Sequence, residues 1–272
     1  MNTLRSFVNR HSLIVFFALA YALSWAGNLF EAHSMFPFGP FLAALLVLSL
    51  TTGKAGLADF LRPIVRWRVG LRWYVLVIGL PITIVSVAVG VNLLLGAQLA
   101  PTFQMPPLAD LVANFLVILI FIGVGEEPAW RGFALPRFMQ GRSTLVASLL
   151  LGICHVIWHW PLFGLEYDWQ NGAPWLLLIM AYAIVTAWLY NQTAGNLLLP
   201  ALFHTTQNMV GKYLFNPAFS GAELFQLWWL MALLWCVVAA VIVLVTGVNL
   251  SRPKVSVPAG LYARQPNAPV KA

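Results

Sequence analysis

From Ser12 to Val245 the sequence is a succession of apolar stretches, most of them about long enough in helical residues to cross a bilayer. Each is closed by a short polar, basic or proline-rich connection. Such stretches read as membrane-spanning helices, because a helix satisfies its own backbone hydrogen bonds where water cannot. Composition agrees: 61% of the 272 residues are hydrophobic and 8% charged, whereas soluble domains carry about 25% charged residues. The chain therefore reads as an integral membrane protein of the all-α class, a polytopic bundle of about eight transmembrane helices with no sizeable soluble domain. Residues 1–250 form one transmembrane domain, and 251–272, rich in Pro, Ala and polar groups, read as a disordered cytoplasmic tail.

The expected spans are Ser12–Phe30, Phe36–Leu50, Trp73–Leu95, Asp110–Val124, Ser143–Phe163, Trp175–Tyr190, Leu197–Leu214 and Leu224–Val245. Met1 to Arg10 is a short basic tail, and with no clear cleavage site after it the first span is retained. After Arg131 a polar turn carrying Arg137 and Arg142 is expected. With both termini cytoplasmic, 14 of the 15 Lys and Arg residues fall on the cytoplasmic side and Lys212 alone falls outside. Moving or deleting one span would spoil that separation. The expected location is the inner or plasma membrane of a bacterial cell, with the bilayer as the first partner. Orientation and anionic lipid account for the net charge of +7, so nucleic acid is excluded as a partner. Cys154 and Cys236 both lie in apolar stretches at no paired spacing, which points to neither a disulfide framework nor a zinc ribbon.

Against this background Gly125-Glu126-Glu127-Pro128-Ala129-Trp130-Arg131 is costly. A charge at membrane depth costs about 2.5 to 3.5 kcal/mol even on the lenient insertion scale, and such groups face the bundle interior and mark a site or pathway. Three more titratable groups lie inside spans. His155 and His159 are four apart and share a helical face, and His204 stands one turn from Asn208. Peptide hydrolysis needs a base to take a proton from water, a donor for the oxyanion and a group to protonate the leaving amine. Glutamate, histidine and asparagine can fill those roles. Glu126, His159 and His204 are equally a zinc ligand set with an open fourth position, and residue chemistry leaves the metal-bound and metal-free versions both open. Glu127 and Arg131, four apart, have the spacing of a helical ion pair.

The order Glu126-Glu127-x-x-x-Arg131, then aromatic-x-x-x-His, then His204-x-x-x-Asn208 resembles the CAAX protease and bacteriocin-processing family of intramembrane endopeptidases, also called Abi proteins, in its bacterial branch. The resemblance covers about 110–215. It implies a peptide-bond hydrolase in which Glu126 and the second-motif histidine activate water, His204 and Asn208 form the oxyanion hole, and Glu127 and Arg131 support the site. His155 stands where the family has Phe or Trp. His159, within Trp158-His159-Trp160-Pro161-Leu162-Phe163, fills the histidine position, while Leu151-x-x-x-His155 is the competing register. The resemblance implies no cofactor, with zinc as the alternative, and a peptide or lipidated protein as substrate. Because Glu126 ends its expected span, the site is expected to open toward the cytoplasmic half. A binding or bacteriocin-immunity protein of the same fold is the alternative from another class. A proton-coupled transporter is disfavoured, since no paired broken spans or inverted repeat is visible.

Overall fold

A computed structural model describes residues 2–26 and 35–250 of the chain. The expected tail, and the end of the first expected span, lie outside the described residues. Ten helices carry the fold: α1 (Asn2–Arg10), α2 (Ser12–Trp25), α3 (Gly39–Thr51), α4 (Gly53–Leu61), α5 (Leu71–Leu94), α6 (Leu108–Phe138), α7 (Thr144–His159), α8 (Gly172–Gln192), α9 (Leu198–Val210) and α10 (Gly221–Thr246). No strand occurs among the described residues, so the chain is an all-α membrane protein as expected.

Among the described residues the count of about eight spans is not confirmed. Five helical runs are long and apolar enough to cross: Leu71–Leu94, Leu108–Phe138, Thr144–Leu162, Trp169–Gln192 and Gly221–Thr246. Two of the other three expected spans contain helices of 14 (α2) and 13 (α3) residues. At about 1.5 Å per residue these rise roughly 20 Å, against a hydrocarbon core of about 30 Å. In the third, α9 runs on from Val210 through a π-wound section to Ala218, but it carries His204, Thr205, Thr206, Gln207 and Asn208 in succession and is not among the apolar runs. Up to six spans result if α1 and α2, bent by 90° at their junction, count as one. The basic tail expected at the N-terminus is thus helical from Asn2. α9 can carry these polar groups because neighbours sheathe it: His204, Thr205 and Thr206 are all buried, with Leu199 and Phe203.

The main departure from expectation concerns α6. The span does not stop at Val124, and no polar turn follows Arg131; the helix runs on to Phe138, with Glu126 eighteen residues after Leu108 and twelve before Phe138. Two sections are wound as π-helix, Leu119–Val124 and Pro128–Ala134, on either side of a single α-turn at Gly125–Glu127. A proline inside an α-helix lacks the N–H its turn requires and its ring strikes a preceding carbonyl. The wider π turns leave Pro128 room to stay in the helix. Residues 129–135 are fully buried against Phe16, Phe60 and Leu197 rather than solvated.

Close approaches bring α6 to its neighbours. A Cβ on Gly123 would stand 2.8 Å from both the Ala201 carbonyl and the Thr205 hydroxyl, so only glycine lets α6 lie this tightly on α9. On the other side of α6, Gly125 packs on the Pro37 carbonyl. Two apolar clusters flank this seam, one around Tyr182, Phe203 and Trp235 and one around Phe16, Trp130 and Phe133.

The connections sort into two faces. On the first, Arg5 donates to the Thr51 carbonyl at 2.9 Å, Arg66 to the Thr193 and Ala194 carbonyls, and Asn191 to Thr144 and to the Asn249 carbonyl. The Leu145 N–H donates to Val248. On the second, Asn92 and the Gln98 N–H both donate to Glu223 at 3.2 Å, and the Ala100 N–H donates to the Ala218 carbonyl.

Candidate active site

Consecutive helical residues point about 100° apart, and Glu126 and Glu127 use that angle to face different neighbours. Glu127 is sealed. Its Oε1 accepts from Arg131 Nη1 at 2.9 Å and from His204 Nδ1 at 2.9 Å, with Glu127 0% and Arg131 1% exposed. Arg131 Nη2 donates to the Thr186 hydroxyl at 2.6 Å, and that hydroxyl donates in turn to the Tyr182 carbonyl at 2.8 Å. The ion pair expected from the four-residue spacing is therefore present, inside a buried network that ties α6 to α8 and α9.

Glu126 lies on the open side. Its Oε2 accepts from the Trp130 indole N–H at 3.3 Å and stands 3.4 Å from His155 Nε2. The latter contact is a close approach without hydrogen-bond geometry, for His155 Nε2 has no hydrogen-bond partner among the described residues. His159, one turn further along α7, donates from Nδ1 to the His155 carbonyl at 3.0 Å. The neutral ring then carries its lone pair on Nε2.

These side chains surround a cavity of about 530 Å³, a volume in the range of small-molecule and peptide-side-chain sites. Glu126, His155, His159, His204 and Asn208 all line it. So does Tyr167, from the connection between α7 and α8. Burial, reinforced by the Glu166 and Glu126 carboxylates, pushes its phenol pKa up, so Tyr167 remains a neutral hydroxyl. Gln207 adds a buried amide oxygen without a hydrogen-bond partner among the described residues.

The residues singled out from sequence are thus brought together, although α9 hands His204 to Glu127 rather than to Glu126. The sequence reasoning missed Trp130, Tyr182, Thr186 and Gln207. Trp130 had a signal, since it stands one helical turn after Glu126. Thr186 and Tyr182 are ordinary polar breaks in an apolar span and carry none.

The zinc alternative does not fit. No three His, Cys, Asp or Glu side chains among the described residues converge so as to hold a metal ion. Glu126 meets His155 rather than either of the other two proposed ligands, His159 and His204.

Residues 108–210 match the family described as type II CAAX prenyl endopeptidase Rce1-like. The family resemblance carried by the three motifs is borne out, and the matched stretch contains every candidate residue from Glu126 to Asn208. CAAX prenyl protease 2 of Methanococcus maripaludis is 28% identical over 103 residues, covering 35% of this chain and 38% of that protein. The similarity thus spans about two-fifths of the relative's length.

Proposed function

We propose that the chain is an intramembrane endopeptidase that hydrolyses a peptide bond in a membrane-associated peptide or protein. The gathering of Glu126, His159, His204 and Asn208 around one cavity is the observation that carries this reading. Glu126 takes a proton from a water that His159 also holds, and the water oxygen attacks the scissile carbonyl carbon. The carbonyl oxygen becomes an oxyanion, held by the Asn208 amide and by His204. As the C–N bond breaks, the proton on Glu126 passes to the leaving amine. Two products result, one with a new carboxyl group and one with a new amine.

The Glu127 contact sets a condition on His204. A ring already donating from Nδ1 to a carboxylate can donate from Nε2 only when it carries both protons. Glu127 thus acts as a positioning residue that makes His204 a cationic oxyanion donor, and Arg131 and Thr186 hold Glu127 in place. Adjacent carboxylates thereby take different work, one as base and one as orienter.

His155 is the second reading for the water partner, favoured by its 3.4 Å approach to Glu126 and its unpartnered Nε2. His159 is preferred here because a direct His155–Glu126 contact leaves no space for a water between them, whereas His159 makes no such contact. The mechanism requires no metal, and the protein resides in a cell membrane.

Comparing membrane peptidomes of cells carrying the native protein and Glu126→Gln tests the reading. Loss of general-base catalysis costs about 100- to 10,000-fold, so uncleaved precursors should accumulate at unchanged protein abundance, and a chelator should not reproduce the effect. Equal cleavage by Glu126→Gln would sink the mechanism. Separate His155→Ala and His159→Ala variants assign the water partner, which is the one whose loss approaches that of Glu126→Gln.

A further inference from the structure

The charges of the described residues are divided between the two faces. Arg252, Lys254, Arg264 and Lys271 lie outside them, which leaves eleven of the 15 Lys and Arg residues. Arg131 is buried in the site. Arg5, Arg10, Lys54, Arg62, Arg66, Arg68, Arg72, Arg137 and Arg142 belong to the first face, whose connections are laced together by the Arg5, Arg66 and Asn191 hydrogen bonds. Lys212 is the one described cation on the second face, where Asp110, Glu166, Asp168 and Glu223 also lie. A membrane protein keeps its Lys and Arg excess on the cytoplasmic side. The first face is therefore the cytoplasmic one.

The cavity belongs to the other face. Its rim includes Pro37, Glu166, Tyr167, Lys212 and Asn216, and no lining residue comes from the connections at 52–70, 139–143, 193–197 or 247–250. The helices show the same bias. α8 contributes Trp175 to Tyr182, from its half nearest the second face; α9 contributes His204 to Asn208, and α10 contributes Trp228 and Met231, again from that half. Glu126 sits well inside α6 rather than at its cytoplasmic end, so nothing carries the cavity to the basic face.

We infer that the cavity receives its substrate from the non-cytoplasmic side of the membrane. The substrate class is then a peptide, or a segment of a membrane protein, exposed on that side, and not a lipidated tail presented from the cytoplasm. The expectation of a cytoplasmic opening rested on ending the fourth span at Val124, and it falls with that boundary. The substrate class rests on the proteolytic reading above; the direction of opening does not.

Thiol labelling tests the direction. In a Cys154→Ser, Cys236→Ser background, single cysteines are placed by Glu166→Cys and Gln104→Cys on the second face, and by Arg68→Cys and Gln140→Cys on the first; all four positions are exposed. Spheroplasts of a bacterial host are treated with a membrane-impermeant maleimide before and after lysis. Positions 166 and 104 should label equally in both conditions, and positions 68 and 140 only after lysis. The reverse pattern would overturn the inference. Gln104 lies outside the cavity lining, so it reports the same face even where Glu166→Cys fails to accumulate. Labelling reads sidedness without cleavage, so outward labelling in a protein that cleaves nothing would sink the proteolytic reading alone, and inward labelling in an active one would sink the orientation alone.

Discussion

Glu126 and Glu127 are neighbours in the chain and opposites in surroundings. Glu126 lines the cavity, held by one indole N–H at 3.3 Å. Glu127 is closed off, accepting two charge-assisted contacts at 2.9 Å and backed by a threonine hydroxyl. Loose holding on the cavity side suits a group that must exchange a proton; tight holding on the other suits one that must not move. A buried charge left without partners is strongly destabilising, so the closed side needs its full network while the open side can use a reacting water.

Substitutions on each side should separate these roles. Glu126→Gln should give the largest effect, a loss in cleavage rate toward the upper end of the about 100- to 10,000-fold range already stated, with the melting temperature in detergent little changed. Glu127→Gln should lower stability as well as cleavage: it strands Arg131 and His204, and breaking a buried pair costs about 3 to 5 kcal/mol. A thermal-shift measurement should therefore register it before any activity assay does. If Glu127→Gln is as stable as the native protein, the two carboxylates are not divided as described. Next in size, Asn208→Ala removes one oxyanion donor and should lower kcat by about 100- to 1000-fold with KM nearly constant; a rise in KM alone would make Asn208 a binding residue instead. Thr186→Val, which leaves Arg131 Nη2 unpaired, should cost about 1 to 3 kcal/mol of stability and act on cleavage only through Glu127, so that it adds little to Glu127→Gln in a double variant.

Much of this contrast was written locally in the sequence. The Glu127–Arg131 pair follows from four-residue spacing, and the shared face of His155 and His159 from the same rule. Contacts that depend on tertiary packing were not legible. His204 is 77 residues from Glu127, and nothing in either segment says which carboxylate it will meet; that depends on how closely Gly123 lets α9 approach. The end of α6 was misread because Pro128 and the charges around it look like a terminus, whereas the π-wound turns carry the helix through them. Helix length misled elsewhere too. α3 has spanning composition but stops before Gly53, where φ is +66°, and α9 begins only after the turn at Ala194 and Gly195, where φ is +50° and +74°, and its apolar character is broken by the polar run His204 to Asn208.

The π-wound section Leu119–Val124 acts as a phase shifter within α6. A π turn holds roughly one residue more than an α turn, and one residue corresponds to about 100° of rotation. Residues before it, such as Val112 and Leu116, show their side chains to lipid, while Glu126 and Glu127 just after it meet the bundle interior. Deleting one residue from this section would relax it to ordinary winding and swing both carboxylates by about a quarter turn, exchanging their neighbours without altering a single side chain. The division of labour between the two glutamates is thus set by the count of backbone units ahead of them as much as by their own chemistry.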